Sequence, residues 1–301
     1  MTAARRSETA VGVLLALLSA ASYGTMPVLA HVAYDSGADT QTFLAWRFVL
    51  AAVVIWPIVL VRRRPLPRGQ LLLKVFVLGG VVYVGQALTY FAAVRYGDVT
   101  VIAPVVYTYP LFVVVLAAIT RTEALTWTKV AAVLIGVAGA ILTVGGSGQA
   151  QALGIVLAVA AGLIFSFYFF FSDRLVTPGL AEGSTAVIIT AAALVFTALS
   201  LSQGDPRSPG TAGGWAATAG IALATVVGIL VVLEALRRLR PVATAVVSAA
   251  APVVSVLLSV AVLGERVDLT QGLGLVLVIA AVLLACRPPA GQPALAPLPP
   301  G

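Results

Sequence analysis

Arg47 stands alone as a charged residue inside "TFLAWRFVLAAVVIW", the run from Thr42 to Trp56. A guanidinium at the centre of a bilayer helix costs about 2.5–3.5 kcal/mol on insertion scales, so something in the fold must offset it. Two roles fit the chemistry. Arg47 can bond helix-end carbonyls or an acidic partner such as Asp35, Asp39 or Asp98, tying the outer end of the first half together. It can instead face a pathway and attract a carboxylate on a substrate, which its planar fork of donors grips in two places. A second group lies further along: Tyr83, Gln86 and Tyr90 stand at i, i+3 and i+7, which puts three hydrogen-bonding groups on one helical face. Lipid penalises such a face, so it belongs in a bundle interior, either as interhelical glue or as a cavity wall. Tyr107 and Tyr109, with Ser22, Tyr23 and Thr25, add hydroxyls near the same depth. Within "FSFYFFFS" from Phe165 to Ser172, Tyr168 is the member placed on the pathway. With Trp46 beside Arg47, the candidate substrate-binding set is Tyr23, Trp46, Arg47, Tyr83, Gln86, Tyr90, Tyr107 and Tyr168.

Two prolines add candidate motion. A proline inside a helix frees the carbonyl four residues back, so Pro110 releases Val106 and Pro252 releases Ser248, each a hinge or a simple kink. Other chemistries find no support. A lone His31 and a lone Cys286 provide neither a nucleophile with its base nor a set of metal ligands, and no GxxxxGK[ST] loop holds a nucleotide. Neither an enzyme nor a cofactor is expected. The central thirds of the apolar runs carry no Asp or Glu of the kind proton-driven carriers use, which favours facilitated diffusion or coupling through the substrate's own charge. Glu234 has Arg238 at i+4 as an ion-pair partner, while Glu123 and Glu265 read as loop-fixing groups or caps for the helix that follows each. Phosphorylated substrates would need Lys or Arg clamps that are absent here, whereas a partly aromatic, uncharged pocket suits neutral or aromatic amino acids.

The elements that must position these residues are membrane helices. The chain has 301 residues, 60% of them hydrophobic and 10% charged, with a mean hydropathy of +1.07, far from the pattern of soluble domains. Ten apolar runs are long enough to cross about 30 Å of hydrocarbon, near Ala10–Ala33, Thr40–Val61, Leu71–Val94, Val99–Thr120, Leu125–Val144, Ala152–Ser172, Ser184–Leu201, Gly213–Leu236, Val242–Leu263 and Leu269–Cys286. The first also has the basic start and small-residue end of a cleaved signal peptide; the repeat described next argues that it stays. With the N-terminus inside, fourteen of the eighteen Lys and Arg fall in cytoplasmic segments and three in outer loops, leaving Arg47 embedded. The excess places both termini in the cytoplasm and makes anionic lipid, not nucleic acid, the neighbour of the basic charge. "RPPAGQPALAPLPPG" after Cys286 reads as a disordered tail over 288–301.

An offset of 142 residues lays the chain on itself in two places. "GVLLALLSAASYGT" from Gly12 falls on "GIVLAVAAGLIFSF" from Gly154, and the segment from Ala93 falls on that from Ala235, keeping Arg95 with Arg237, Pro110 with Pro252 and Glu123 with Glu265. Five runs per copy is an odd number, so the second copy enters the membrane inverted relative to the first, the arrangement many secondary transporters use to place a substrate between halves. At these residues, "AWRFVLAA", "YPLFVVVLAAITRTEAL" and above all "APVVSVLLSVAVLGERVDLTQGLGLVLVIAAVLL", the chain resembles the repeated EamA module of the drug/metabolite transporter superfamily. The first copy departs from it in reading Arg121-Thr122-Glu123, where Gly is usual before Glu. The resemblance implies an all-α integral membrane fold of ten helices in two inverted five-helix repeats, residues 10–145 and 152–287. It implies a bacterial inner-membrane exporter of small metabolites, frequently amino acids, working by alternating access. Efflux of drugs or other metabolites with proton coupling, and a channel, are the alternatives. Oligomeric state is not written in the sequence.

Overall fold

The computed structural model describes residues 3–94, 96–97, 102, 105–121, 123, 125–144, 150–177, 179–258 and 268–285. Its elements are α1 (Ala3–Asp35), α2 (Thr40–Val61), α3 (Gly69–Val77) continued by a π-helical stretch (Leu78–Tyr83) into α4 (Val84–Val94), α5 (Tyr109–Thr120) and α6 (Trp127–Val144) in the first half. The second half holds α7 (Ala152–Leu175), α8 (Ala181–Ser202), α9 (Ala212–Leu239), α10 (Pro241–Ser248), α11 (Ala251–Leu258) and α12 (Leu269–Ala285). Among the described residues, seven segments are long and apolar enough to cross a membrane, α10 and α11 counting together as one, and Tyr109–Thr120, Trp127–Leu142 and Leu269–Ala285 are shorter apolar helices. The Gly264-Glu265-Arg266 block and the 288–301 tail lie outside the described residues.

Local chemistry sets the helix ends. Asp39 caps α2 by accepting from the Thr42 backbone N–H at 2.9 Å, and Thr211 caps α9 by accepting from that of Gly214 at 3.1 Å. At the opposite ends of α2, α5 and α9 the chain turns through left-handed residues, and all three are arginines: Arg63 (φ 50°), Arg121 (φ 51°) and Arg240 (φ 70°). Glycine normally takes that conformation. A basic side chain there offsets the negative end of the helix dipole.

Which helices touch follows the same 142-residue offset. α1 lies against α9, as α4 lies against α7; α1 meets α11, as α7 meets α5; α2 pairs with α8 and α6 with α12, each the other's counterpart. Close approaches obey it too. A Cβ on Gly12 would come within 2.8 Å of Arg238, and one on Gly154 within 2.9 Å of Tyr96, whose offset partner is Arg238. Where α6 crosses α12, a Cβ on Gly139 would sit 2.7 Å from the Val278 nitrogen and one on Gly136 3.2 Å from the Ala281 Cβ, and these two pairs exchange under the offset. Such crossings suit a bilayer, where close van der Waals contact between small residues replaces the hydrophobic drive.

The fourth and ninth runs are discontinuous, not continuous helices with a bend. Turns at Tyr107–Thr108 and at Ala249–Ala250 precede α5 and α11, and Pro110 and Pro252 stand in the first turn of the new helices, where no N–H is needed. Thr108 N–H donates to Val105 O (3.2 Å) and Leu111 N–H to Thr108 O (2.9 Å); at the offset positions Ala250 N–H donates to Val247 O (3.1 Å) and Val253 N–H to Ala250 O (3.0 Å).

Candidate functional site

Tyr23 is placed by what surrounds α1. Ser19 donates to the Gly228 carbonyl at 3.1 Å, and the bare α-carbon of Gly228 lets the Tyr23 ring lie on α9, 3.3 Å from where a Cβ would be. The Tyr23 hydroxyl enters the bundle within electrostatic reach of Tyr83, Tyr168 and Arg47, and it has no hydrogen-bond partner among the described residues.

Arg47 turns from α2 to the same interior. Its Nε donates to Thr225 Oγ1 at 2.7 Å, its Nη2 to the Met26 sulfur at 3.2 Å, and its Cζ stands 5.0 Å from the centroid of the Phe48 ring. Thr225 spends its own hydrogen on Ile221 O at 2.8 Å, which leaves its oxygen free to accept. Neither Asp35 nor Asp39 takes Arg47. Asp35 faces His31 at 3.4 Å, both exposed, Asp39 caps α2, and Asp98 lies outside the described residues. A thioether is a weak acceptor. Among the described residues the guanidinium is thus half-satisfied, in a setting where charges are costly unless paired.

Around it lies an aromatic wall. Phe48 packs edge-on to Tyr83 (5.8 Å between centroids) and stacks on Phe196 (5.4 Å); Tyr83 meets Tyr168 edge-on at 5.3 Å; Tyr168 stacks on Phe165 at 5.9 Å. Tyr168 is fully buried, and its hydroxyl, like those of Ser172, Ser184 and Thr185, lacks a partner among the described residues. A buried hydroxyl left so costs about 1–3 kcal/mol. The π-helical stretch, a device frequent at functional sites, ends on Tyr83.

Gln86, Tyr90 and Tyr107 are half-buried. Tyr90 rests edge-on against Phe91 at 5.3 Å. Tyr109 donates instead to the Ala245 carbonyl at 3.0 Å and packs on Phe165 at 4.8 Å, bridging the two broken runs. Trp46 stands apart from this interior: its indole donates to Ser208 at 2.9 Å and its ring meets Trp215 edge-on at 5.1 Å, at the outer loop. The structure therefore gathers Tyr23, Arg47, Tyr83 and Tyr168 and assigns Trp46 to the rim. Sequence reasoning did not select Thr225 and Met26; Thr225 was reachable, since the offset makes it the counterpart of Tyr83.

Both ends of the α2–α8 pair are tied. At the end that carries the α2 N-terminus, Asp39 N–H donates to Arg207 O at 3.0 Å, Arg207 N–H returns to the Asp39 carboxylate at 2.6 Å, and Thr42 bonds Ser200 at 2.7 Å. Partial burial pushes Asp39 up, but the donors from Thr42, Arg207 and Gln41 outweigh it and hold the carboxyl below its usual value. At the opposite end, Arg64 pairs with Glu182 at 3.1 Å. Glu234 pairs with Arg238, as its spacing predicts, and with Arg237 at 2.9 Å. Glu123 differs from expectation: it bonds Lys129 at 2.7 Å and accepts from the Val242 N–H at 3.3 Å, reaching the N-terminus of α10 in the other half rather than capping only its own next helix.

The EamA-like transporter family matches residues 10–145 and 152–287, nearly the whole chain. This chain belongs to that family. As an EamA-like transporter it is a multi-pass membrane transporter of small molecules, a family of carriers rather than enzymes, and the channel alternative gains no support. The chain is 27% identical over 282 residues to the uncharacterized transporter YcbK of Bacillus subtilis (strain 168), covering 89% of this chain and 90% of that protein. A protein crystal structure superposes with a TM-score of 0.77 at 23% identity, covering 93% of this chain and 97% of that one, a likeness of fold.

Proposed function

We propose that this EamA-like transporter carries neutral or aromatic amino acids out of a bacterial cell by alternating access, as an uncoupled facilitator, with ten spans and both termini in the cytoplasm. The observation that carries the reading is Arg47, held in the bundle by Thr225 with no acidic partner among the described residues, beside the unpartnered hydroxyls of Tyr23 and Tyr168. A substrate carboxylate supplies what that cation lacks, and the tyrosine and phenylalanine wall receives an apolar or aromatic side chain. Matched breaks in the fourth and ninth runs support a site between halves, since carriers build such sites from discontinuous helices in corresponding places.

Purified protein in proteoliposomes is expected to show saturable counterflow of radiolabelled leucine or phenylalanine, unchanged by a pH gradient. Movement of another solute with no amino acid moving would overturn the substrate assignment, and dependence on the gradient would overturn the uncoupled mechanism. The threading is read separately with Cys286→Ser carrying Gln70→Cys or Ser202→Cys, both on exposed positions: an impermeant reagent is expected to label the second, and not the first, from the outside of intact cells.

A further inference from the structure

We infer that the transporter holds one anionic phospholipid on the lipid-facing side of α2, with its headgroup on Arg62, Arg63 and Arg68 and an acyl chain in the groove between α2 and α8. The groove, about 470 Å³, is lined by Val49, Ala52, Val53, Trp56 and Leu60 of α2 and by Ala193 of α8. These α2 residues follow at i, i+3, i+4, i+7 and i+11, one continuous stripe beside the buried stripe of Phe48, Ala51, Ile55 and Val59. From Val49 to Leu60 the stripe spans about 16 Å at 1.5 Å per residue, close to half of a ~30 Å hydrocarbon core, so the groove is as long as one leaflet is thick. Small side chains at Ala52 and Ala193 form its floor. Trp56 forms a fixed wall, its indole donating to Thr190 at 2.9 Å.

The stripe ends at a cluster of positive charge. The Arg62 N–H closes α2 on Ile58 O (3.1 Å), Arg63 turns through φ 50°, and the Arg64 N–H returns to Val59 O (2.9 Å). Arg64 is spent on Glu182. Arg62, Arg63 and Arg68 are exposed and have no acidic partner among the described residues. Arginine grips phosphate oxygens in two places, and a basic cluster beside a membrane helix attracts anionic headgroups. Helix-end compensation alone explains single basic residues there; it does not explain three unpaired arginines within eight residues of Leu60, the last α2 residue of the groove.

Native mass spectrometry of protein extracted from mixed phosphatidylglycerol and phosphatidylcholine discs tests this. The wild-type chain is expected to retain one phosphatidylglycerol through delipidation. Arg62→Gln/Arg63→Gln/Arg68→Gln is expected to lower the phosphatidylglycerol preference by about a hundredfold, the sum of three basic contacts at an anionic surface. Ala52→Phe, which fills the floor and leaves every arginine in place, is expected to lose retention as well. Unchanged retention in the triple variant overturns the headgroup assignment; unchanged retention in Ala52→Phe overturns the groove and leaves a diffuse basic surface. Thermal midpoints in zwitterionic detergent confirm that each variant is folded, and neither readout depends on which solute the transporter carries.

Discussion

At the break in the fourth run the chain reads Tyr107-Thr108-Tyr109-Pro110; at the equivalent break in the ninth it reads Ala249-Ala250-Ala251-Pro252. The backbone hydrogen bonds are the same in both, yet one side presents two phenols and a hydroxyl and the other presents methyl groups. The difference extends through the site: Arg47 corresponds to Ile189, Tyr83 to Thr225, Gln86 to Gly228 and Tyr90 to Val232. Backbone geometry is shared by the halves because packing and turns require it of both, while polar groups inside a membrane bundle are costly and stay only where used. The first half contributes Tyr23, Arg47 and Tyr83 to the cluster and the second half Tyr168 and Thr225.

That contrast can be tested by substitution. The largest effect is expected at the shared geometry: Gly139→Leu, driven into the backbone of Val278, should cost about 3 kcal/mol by overpacking, seen as lost folding yield and a lowered thermal midpoint. Gly136→Leu, which meets a side chain instead, should cost less; equal losses would mean that α6 and α12 do not cross as described. Next, Arg47→Gln should reduce carboxylate transport by ten- to a hundredfold, the worth of a charge-assisted hydrogen bond of about 1.5–3 kcal/mol, with yield retained. If counterflow stays normal, the charge is not the site's receptor; if the protein fails to fold, Arg47 is a structural tie. At the matched breaks, Pro110→Ala and Pro252→Ala should lower stability by similar amounts, about 0.4–1 kcal/mol each, and a marked inequality would show that the two turns are not equivalent.

The smallest effect belongs to the tie at the α2 N-terminus. Because Asp39 is held below its usual value in the folded chain, its contribution is complete above the ordinary aspartate range and disappears as falling pH protonates it through the lowered value. Thermal midpoints scanned downward from pH 6 should drop more steeply for wild type than for Asp39→Asn. Parallel curves would remove Asp39 from the account of that tie.

Much of the architecture was legible from one dimension because a bilayer admits few solutions. Run length and the all-helical class follow from the need to satisfy every backbone group inside lipid, and the offset pairing Pro110 with Pro252 from the doubling of the chain. The breaks at Tyr107 and Ala249 were not legible: a proline marks a disturbed helix but does not say whether the chain bends or stops. Tyr83, Gln86 and Tyr90 were legible as one inward face, whereas the placement of Trp46 on Ser208 and Trp215 required knowing which outer loop folds over α2.

By itself, then, the sequence determined that this is a membrane-embedded, doubled, all-helical chain with one arginine to be accounted for. Only the tertiary structure decided that the arginine meets Thr225 and Met26, and that Glu123 accepts from the N-terminus of a helix in the other half. The physical reason is range. Hydropathy and periodicity act within a helix and are written along it, whereas a polar group's partner lies on whichever helix packing brings within about 3 Å, and the sequence order of helices does not state that.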